Sequence, residues 1–312
     1  MIELVVPVIL LVIGIVLLAF SSSKTVDHSV ELACNWKIPP IIIGLSLVSV
    51  GTDFPEIMNS IISSSLGHGS INIGDSIGSA FVQLTLVLGI VALSLRQFAV
   101  DRKEVGVIGI ATILSLILSF FLIADGYISR FDGFLLVFSW VIFILIIKRI
   151  SKDDFSCPAR HKRSIFCVIV VILGFIGVAV GTYMVINSIL EISRIFDVSE
   201  FTVSFFVASV GTSLPELAVT ITAFRKGQTE LAIGDIMGSS LLDSSISIGI
   251  GPLLFPTLVS GGPAIFTWLY VILGVLIVTL LLSYSGRVDK KVGIICLGIY
   301  LFSYVLLCLP IF

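Results

Sequence analysis

Two stretches 160 residues apart repeat one another. Val50-Gly51-Thr52-Asp53-Phe54-Pro55-Glu56 is echoed by Val210-Gly211-Thr212-Ser213-Leu214-Pro215-Glu216. Downstream, Ile73-Gly74-Asp75-Ser76-Ile77-Gly78-Ser79 is echoed by Ile233-Gly234-Asp235-Ile236-Met237-Gly238-Ser239, and Gln83 by Asp243, all at the same offset of 160. A register held without a gap over such a span is an internal repeat. The chain must therefore fold as two copies of one unit.

Each copy is embedded in apolar sequence. Of the 312 residues 57% are hydrophobic and 12% are charged, and the mean hydropathy is +1.19. A soluble domain carries about 25% charged residues, so this reads as an all-α, polytopic membrane protein. Apolar runs of spanning length predict helices near 2–20, 38–66, 70–95, 104–124, 131–148, 164–189, 200–225, 229–254, 264–284 and 291–310, ten in all. The first run lacks a basic leader and is long enough to span, so it is read as a helix and not as a signal peptide. The second and seventh contain Gly-Thr-x-x-Pro. Proline removes a backbone donor and glycine loosens the same turn, so both are expected to be broken helices.

The basic residues orient the chain. With the loop after Lys148 on the cytoplasmic side, 16 of the 18 Lys and Arg residues fall inside, and only Arg130 and Arg194 outside. Both termini are then extracytoplasmic, in a cell membrane. Ten helices divide into five per repeat, and five is odd. The second repeat thus enters the bilayer from the opposite side. The expected organisation is a first five-helix repeat over 1–148, a basic cytoplasmic linker over 149–163 and an inverted repeat over 164–312. Paired broken helices in inverted repeats point to a secondary transporter with its site at the repeat interface.

Six acidic residues lie within the spans: Asp53, Glu56, Asp75, Glu216, Asp235 and Asp243. No Lys or Arg accompanies them at similar depth. Carboxylates in low dielectric must then be protonated or hold cations. Hard cations such as Ca²⁺ and Na⁺ take oxygen ligands, and the motifs supply them in Thr52, Asp53, Glu56, Thr212, Ser213 and Glu216. Ser79 and Gln83 are spaced i,i+4 on the third helix, as Ser239 and Asp243 are on the eighth. At about 1.5 Å per residue, Ser79 and Gln83 lie roughly 13–20 Å into the membrane. Asp75 and Asp235 sit one turn away on the same stripes and read as residues of the ion path. Asp53 is open to a second reading as a cap on the helix that follows it. Gly74, Gly78, Gly234 and Gly238 read as close-packing positions. His28, His68 and His161 fall in expected loops. The five cysteines, Cys34, Cys157, Cys167, Cys296 and Cys308, have no CxxC spacing and read as isolated thiols. No cofactor and no nucleic-acid partner is expected. The expected partners are inorganic cations and the lipid bilayer, and nothing points to a particular protein partner.

At these motifs the sequence resembles the cation/calcium antiporter superfamily, above all its prokaryotic sodium/calcium exchangers. Members carry two repeats of the form G-T-S-x-P-E followed by G-N-x-x-G-S-x-x-x-[ND]. The resemblance implies a bundle in which helices two, three, seven and eight enclose the ions. By matching position it implies ligands at Thr52, Glu56, Ser79, Thr212, Ser213, Glu216, Ser239 and Asp243, with main-chain oxygens from Ser49 and Ser209.

The chain departs from that pattern in places. Asp53 stands where Ser is usual, Gln83 where Asn is usual, and Asp75 and Asp235 replace the Asn of G-N. The expected activity is exchange of Na⁺ for Ca²⁺. The alternative is H⁺ or another divalent cation as one partner, since an added carboxylate that holds a proton until a cation arrives suits proton coupling. An intramembrane aspartyl protease needs Gly-x-Gly-Asp, whereas Asn72-Ile73-Gly74-Asp75 and Ala232-Ile233-Gly234-Asp235 both lack the first glycine. A passive channel fits paired broken helices poorly.

Overall fold

A computed structural model describes residues 2–33, 49–94, 97–150, 164–225, 227, 229–259 and 265–307. The first part of the expected second helix, 38–48, lies outside them. So do 151–163 of the expected linker, and Lys37, Arg96, Lys226, His161, Cys34, Cys157 and Cys308.

Helix α1 runs Ile2–Ala33. Helix α2 is described in two pieces, Ser49–Thr52 and Phe54–Ser65. Helix α3 spans Gly69–Ser94, α4 Arg102–Ile123 and α5 Arg130–Ile150. Helix α6 runs Ser164–Phe196 and α7 spans Glu200–Arg225. Helix α8 runs Thr229–Leu242 and continues through Asp243–Ser247 into Ile248–Leu254. Helices α9 and α10 are Ile265–Ser285 and Lys290–Leu307. Among the described residues, seven helices are long and apolar enough to cross a membrane by length and composition.

Two expectations need correction. Helix α1 does not stop near residue 20. It carries its polar end, Ser21 to Ala33, in unbroken helix, because extending a formed helix costs little and its serines and glutamate tolerate it. Lys24 and His28 therefore sit on a helix and not in a loop. The His28 ring nitrogen Nδ1 bonds the Lys24 carbonyl at 2.8 Å, and the Lys24 ammonium lies 5.9 Å from the Phe20 ring centre. Helix α6 likewise continues to Phe196, where Arg194 pairs with Glu191 at 2.9 Å.

Two short ribbons accompany the helices. Strands β1 Phe98–Ala99 and β4 Arg287–Val288 pair antiparallel, and so do β2 Tyr127–Ile128 and β3 Thr257–Leu258. Each ribbon joins a loop of the first half to a loop of the second. Loop backbone at the ends of apolar helices must find partners, and here it finds them across the halves.

Helices α3 and α8 occupy the centre. Every residue of Gly69–Val82 is buried, as are Ala232–Ser245. Helices α1, α5, α6, α9 and α10 turn large apolar side chains outward, among them Phe20, Phe131, Leu173, Leu280 and Ile294. In water such a surface would be a liability, but it is what a lipid-facing shell requires. Since lipid is as apolar as leucine, close packing must hold the helices together. Glycine supplies it. A Cβ on Gly74 would stand 2.5 Å from the Phe201 carbonyl oxygen, and one on Gly78 2.6 Å from that of Phe205, so α3 lies directly on α7. A Cβ on Gly89 of α3 would be 3.3 Å from the Gly293 oxygen of α10. One on Gly249 of α8 would be 2.8 Å from the Gly133 oxygen of α5. Adding 160 to 89 and subtracting it from 293 turns the first pair into the second.

Candidate cation site

The two Gly-Thr-x-x-Pro motifs adopt one local structure. Asp53 has φ −77° and ψ 8°, and Ser213 has φ −81° and ψ 6°. Both lie in the sparsely used bridge region, two residues before a proline that contributes no N–H. The expected breaks thus each fall on a single residue. Hydrogen bonds still cross them: the Asp53 N–H donates to the Ser49 carbonyl at 2.8 Å, and the Ser213 N–H to that of Ser209 at 3.1 Å. The Thr52 and Thr212 hydroxyls also approach these two carbonyls, at 3.2 and 3.3 Å. The main-chain oxygens of Ser49 and Ser209 are thus engaged within their own helices.

Three π-helical turns accompany the kinks, at Gln83–Val87, Ser204–Ala208 and Asp243–Ser247. The first and third begin at the repeated pair Gln83 and Asp243. Such turns are rare and gather at functional sites, because the extra residue re-aims a side chain. The motif spacing gave no sign of them.

The structure brings the motif side chains together where α2, α3, α7 and α8 meet. Thr52, Asp53, Glu56, Ser79, Gln83, Glu216, Ser239 and Asp243 are fully buried, and Thr212 and Ser213 nearly so. One carboxylate oxygen from each of Asp53, Glu56 and Glu216 lies within 4.8 Å of the others. Two oxygens bound at 2.3–2.6 Å to one Ca²⁺ stand at most about 5 Å apart, so one cation can touch all three acids.

The neighbouring polar groups hold this cluster in place. The Gln83 amide Nε2 donates to Asp243 Oδ2 at 3.0 Å and makes a longer contact to Asp53 Oδ1 at 3.5 Å. The Ser79 hydroxyl is 3.4 Å from Glu56 Oε1 and 3.3 Å from the Thr212 hydroxyl. Thr52 faces Ser239 at 3.5 Å. The last two hydroxyl pairs exchange under the 160-residue offset, as Gln83 and Asp243 do.

Several oxygens at the cluster have no hydrogen-bond partner among the described residues. They are Asp53 Oδ2, Glu56 Oε2, Gln83 Oε1, Ser213 Oγ and both oxygens of Glu216. Buried acceptors are normally satisfied, and a buried unpaired carboxylate is costly. The ion pairs among the described residues, His68–Glu200, Arg194–Glu191 and Arg287–Asp289, involve none of these acids. An all-oxygen, electron-rich cage with unused lone pairs suits a hard cation.

The structure rejects the capping role for Asp53, whose side chain makes no cap hydrogen bond to the following helix. Asp75 and Asp235 are fully buried. Asp75 accepts from Asn59 Nδ2 at 2.5 Å and from Thr212 Oγ1 at 3.2 Å, and Asp235 accepts from Thr220 Oγ1 at 3.1 Å. Asp75 thus stands directly behind Thr212. Sequence reasoning passed over Asn59, Thr220 and Ser247, the last of which donates to Asp243 Oδ1 at 2.9 Å. Helical spacing could have found them: they follow Glu56, Glu216 and Asp243 by three or four residues.

The sequence pattern described as sodium/calcium exchanger protein matches residues 6–148 and, a second time, residues 166–309. The chain belongs to this exchanger family. Among relatives, the inner membrane protein YrbG of Escherichia coli is 29% identical over 263 residues, 79% of each chain. The sodium/calcium exchanger MaX1 of Methanosarcina acetivorans is 22% identical over 344 residues, covering 96% of this chain and 97% of its own. The solved structure of the sodium-calcium exchanger NCX_Mj, soaked with Na⁺ and Sr²⁺, superposes with a TM-score of 0.67 at 25% identity. That match covers 97% of this chain and 98% of the other. The exchanger family consists of membrane antiporters for inorganic cations. The chain is accordingly an integral, multi-pass membrane transporter and not an enzyme.

Proposed function

We propose that this exchanger-family chain expels Ca²⁺ in exchange for Na⁺ by alternating access. One observation carries the proposal: Asp53, Glu56 and Glu216 converge, buried and unpaired with any base among the described residues, on one cation-sized space. Their charge offsets the cost of stripping water from the ion. Thr52, Ser79, Thr212, Ser213, Ser239, Gln83 and Asp243 complete the oxygen cage, and the carbonyls of Ser49 and Ser209 join it when the Thr52 and Thr212 hydroxyls turn away. The names of MaX1 and NCX_Mj support sodium and calcium as the exchanged pair.

In this reading ten helices form two inverted repeats, 1–148 and 164–312, with the basic segment 149–163 as a cytoplasmic linker and both termini outside the cell membrane. The exchanged contact pairs support a two-fold axis between the halves, running in the membrane plane and passing between Gln83 and Asp243. Two equivalent halves of opposite direction give two equivalent access routes to one central site.

A proton in place of Na⁺ is the second reading. The third carboxylate at the cluster, Asp53, favours it, because a proton can neutralise what a cation otherwise would. Equilibrium ⁴⁵Ca²⁺ binding to the purified protein separates the two. In the first reading Na⁺ displaces Ca²⁺ at constant pH, with more than one Na⁺ per Ca²⁺. If Na⁺ leaves bound Ca²⁺ untouched while acid displaces it, the proton reading replaces the first.

A further inference from the structure

Asp75 lies outside the cation cage, yet it is fully buried and held on two sides. Its Oδ2 accepts from the Asn59 amide and its Oδ1 faces the Thr212 hydroxyl at 3.2 Å. That hydroxyl also stands near two carbonyls, Ala208 at 3.1 Å and Ser209 at 3.3 Å. The Ser209 carbonyl already accepts from the Ser213 N–H at 3.1 Å. A hydroxyl has a single proton, and a carboxylate is the stronger acceptor for it. The Thr212 proton therefore belongs to Asp75.

The consequence falls on the cage. A hydroxyl binds a cation through its lone pairs, with its proton turned away. With the Thr212 proton committed to Asp75 and the Ser79 proton to Glu56 Oε1, both oxygens present lone pairs to the space between them. The second repeat has the equivalent hydroxyl pair. Thr52 faces Ser239 as Thr212 faces Ser79, and Asp235 accepts from the Thr220 hydroxyl at 3.1 Å.

We propose that Asp75 is a positioning residue that fixes the hydroxyl orientation of Thr212, and so sets how tightly the exchanged ions are held. This rests on the cation cage described above. Asp75 does not touch the ion. It acts through Thr212, as outer-layer groups orient the direct ligands of metals. Asn59 secures Asp75 from behind, and its Oδ1 has no partner among the described residues. The Asn59 amide can therefore turn over. Asp75→Asn keeps an acceptor for Thr212 and offers its own N–H to the reversed Asn59.

The test measures Na⁺-driven ⁴⁵Ca²⁺ exchange in proteoliposomes, with half-saturating Na⁺ and Ca²⁺ determined separately for each variant. Thr212→Val is expected to raise the half-saturating concentration of one or both ions. Asp75→Ala is expected to raise the same one by about five-fold, the worth of one misdirected hydrogen bond, with the maximal rate within about two-fold. In the Thr212→Val background, Asp75→Ala should add nothing. Asp75→Asn should stay near wild type. Asp75→Ser, whose short hydroxyl bonds back to its own helix, replaces Asp75→Ala if the alanine protein does not assemble. Additive losses, or a shift in a different ion, overturn the positioning role while leaving the cage intact. Unchanged ion dependence in Thr212→Val overturns the cage reading itself.

Discussion

Gln83 and Asp243 occupy equivalent places in the two repeats, 160 residues apart, and touch each other at 3.0 Å. In the proposed two-fold arrangement, equivalent residues meet only near the axis that relates the halves. The site is thus built where the repeats coincide, and this pair breaks its symmetry. One member is an amide that donates, and the other is a carboxylate that accepts. The same amide also reaches toward Asp53 at 3.5 Å. Gln83 therefore stands between two acids that would otherwise repel.

That position predicts how Gln83→Ala behaves. Removing the amide leaves Asp243 and Asp53 without its N–H donors, at a cost of about 1–3 kcal/mol. Thermal unfolding in detergent should show a lower Tm without Ca²⁺. Saturating Ca²⁺ should restore most of the loss by mass action. Equal destabilisation with and without Ca²⁺ would separate Gln83 from the cation site.

Glu56→Gln and Glu216→Gln keep the shape of the cage and remove charge that offsets cation desolvation. Each should lower ⁴⁵Ca²⁺ flux by about 100-fold or more, the order expected when one partner of a buried ionic interaction is lost. Insertion and folding, read by size-exclusion chromatography, should survive. Normal flux in either variant would move the site elsewhere.

Protons and cations compete for the same carboxylates, so apparent Ca²⁺ affinity should fall as pH falls. Asp53→Ser removes one of the four competing acids. Its affinity curve, measured from about pH 5.5 to 8.5, should be flatter than that of the wild type. Parallel curves would exclude Asp53 from the competition.

Glycine packing predicts an asymmetry in stability. A Cβ on Gly133 would meet the Gly249 carbonyl oxygen at 2.5 Å and the Leu253 nitrogen at 2.6 Å, both backbone atoms that cannot turn aside. A Cβ on Gly89 meets first the Leu297 side chain at 2.8 Å, which can. Gly133→Ala should therefore cost several kcal/mol, and Gly89→Ala about 1–3 kcal/mol. Comparable Tm losses would contradict the described α5–α8 contact.

Much of this site is legible in the sequence, because intramembrane acids are rare and expensive. Asp53, Glu56, Glu216 and Asp243 had few readings other than cation binding, and the repeat pointed to one shared place for them. The groups around them were harder to find. Asn59 and Thr220 are single polar residues on helices, and such residues more often bond their own backbone. Their contacts to Asp75 and Asp235 depend on how α2 packs on α3 and α7 on α8, which no local pattern records. Gly-Thr-x-x-Pro marked both breaks, and the structure confines each to one residue in the bridge region. The end of α1 was misplaced because its polar turns lose their hydropathy signal while staying helical.

The most direct test of exchange is ⁴⁵Ca²⁺ uptake into proteoliposomes loaded with Na⁺ and diluted into Na⁺-free buffer at equal pH on both sides. The proposed function predicts rapid uptake that stops when the Na⁺ gradient is collapsed and is absent in Glu216→Gln. Uptake that ignores the Na⁺ gradient but follows an imposed pH gradient would contradict it.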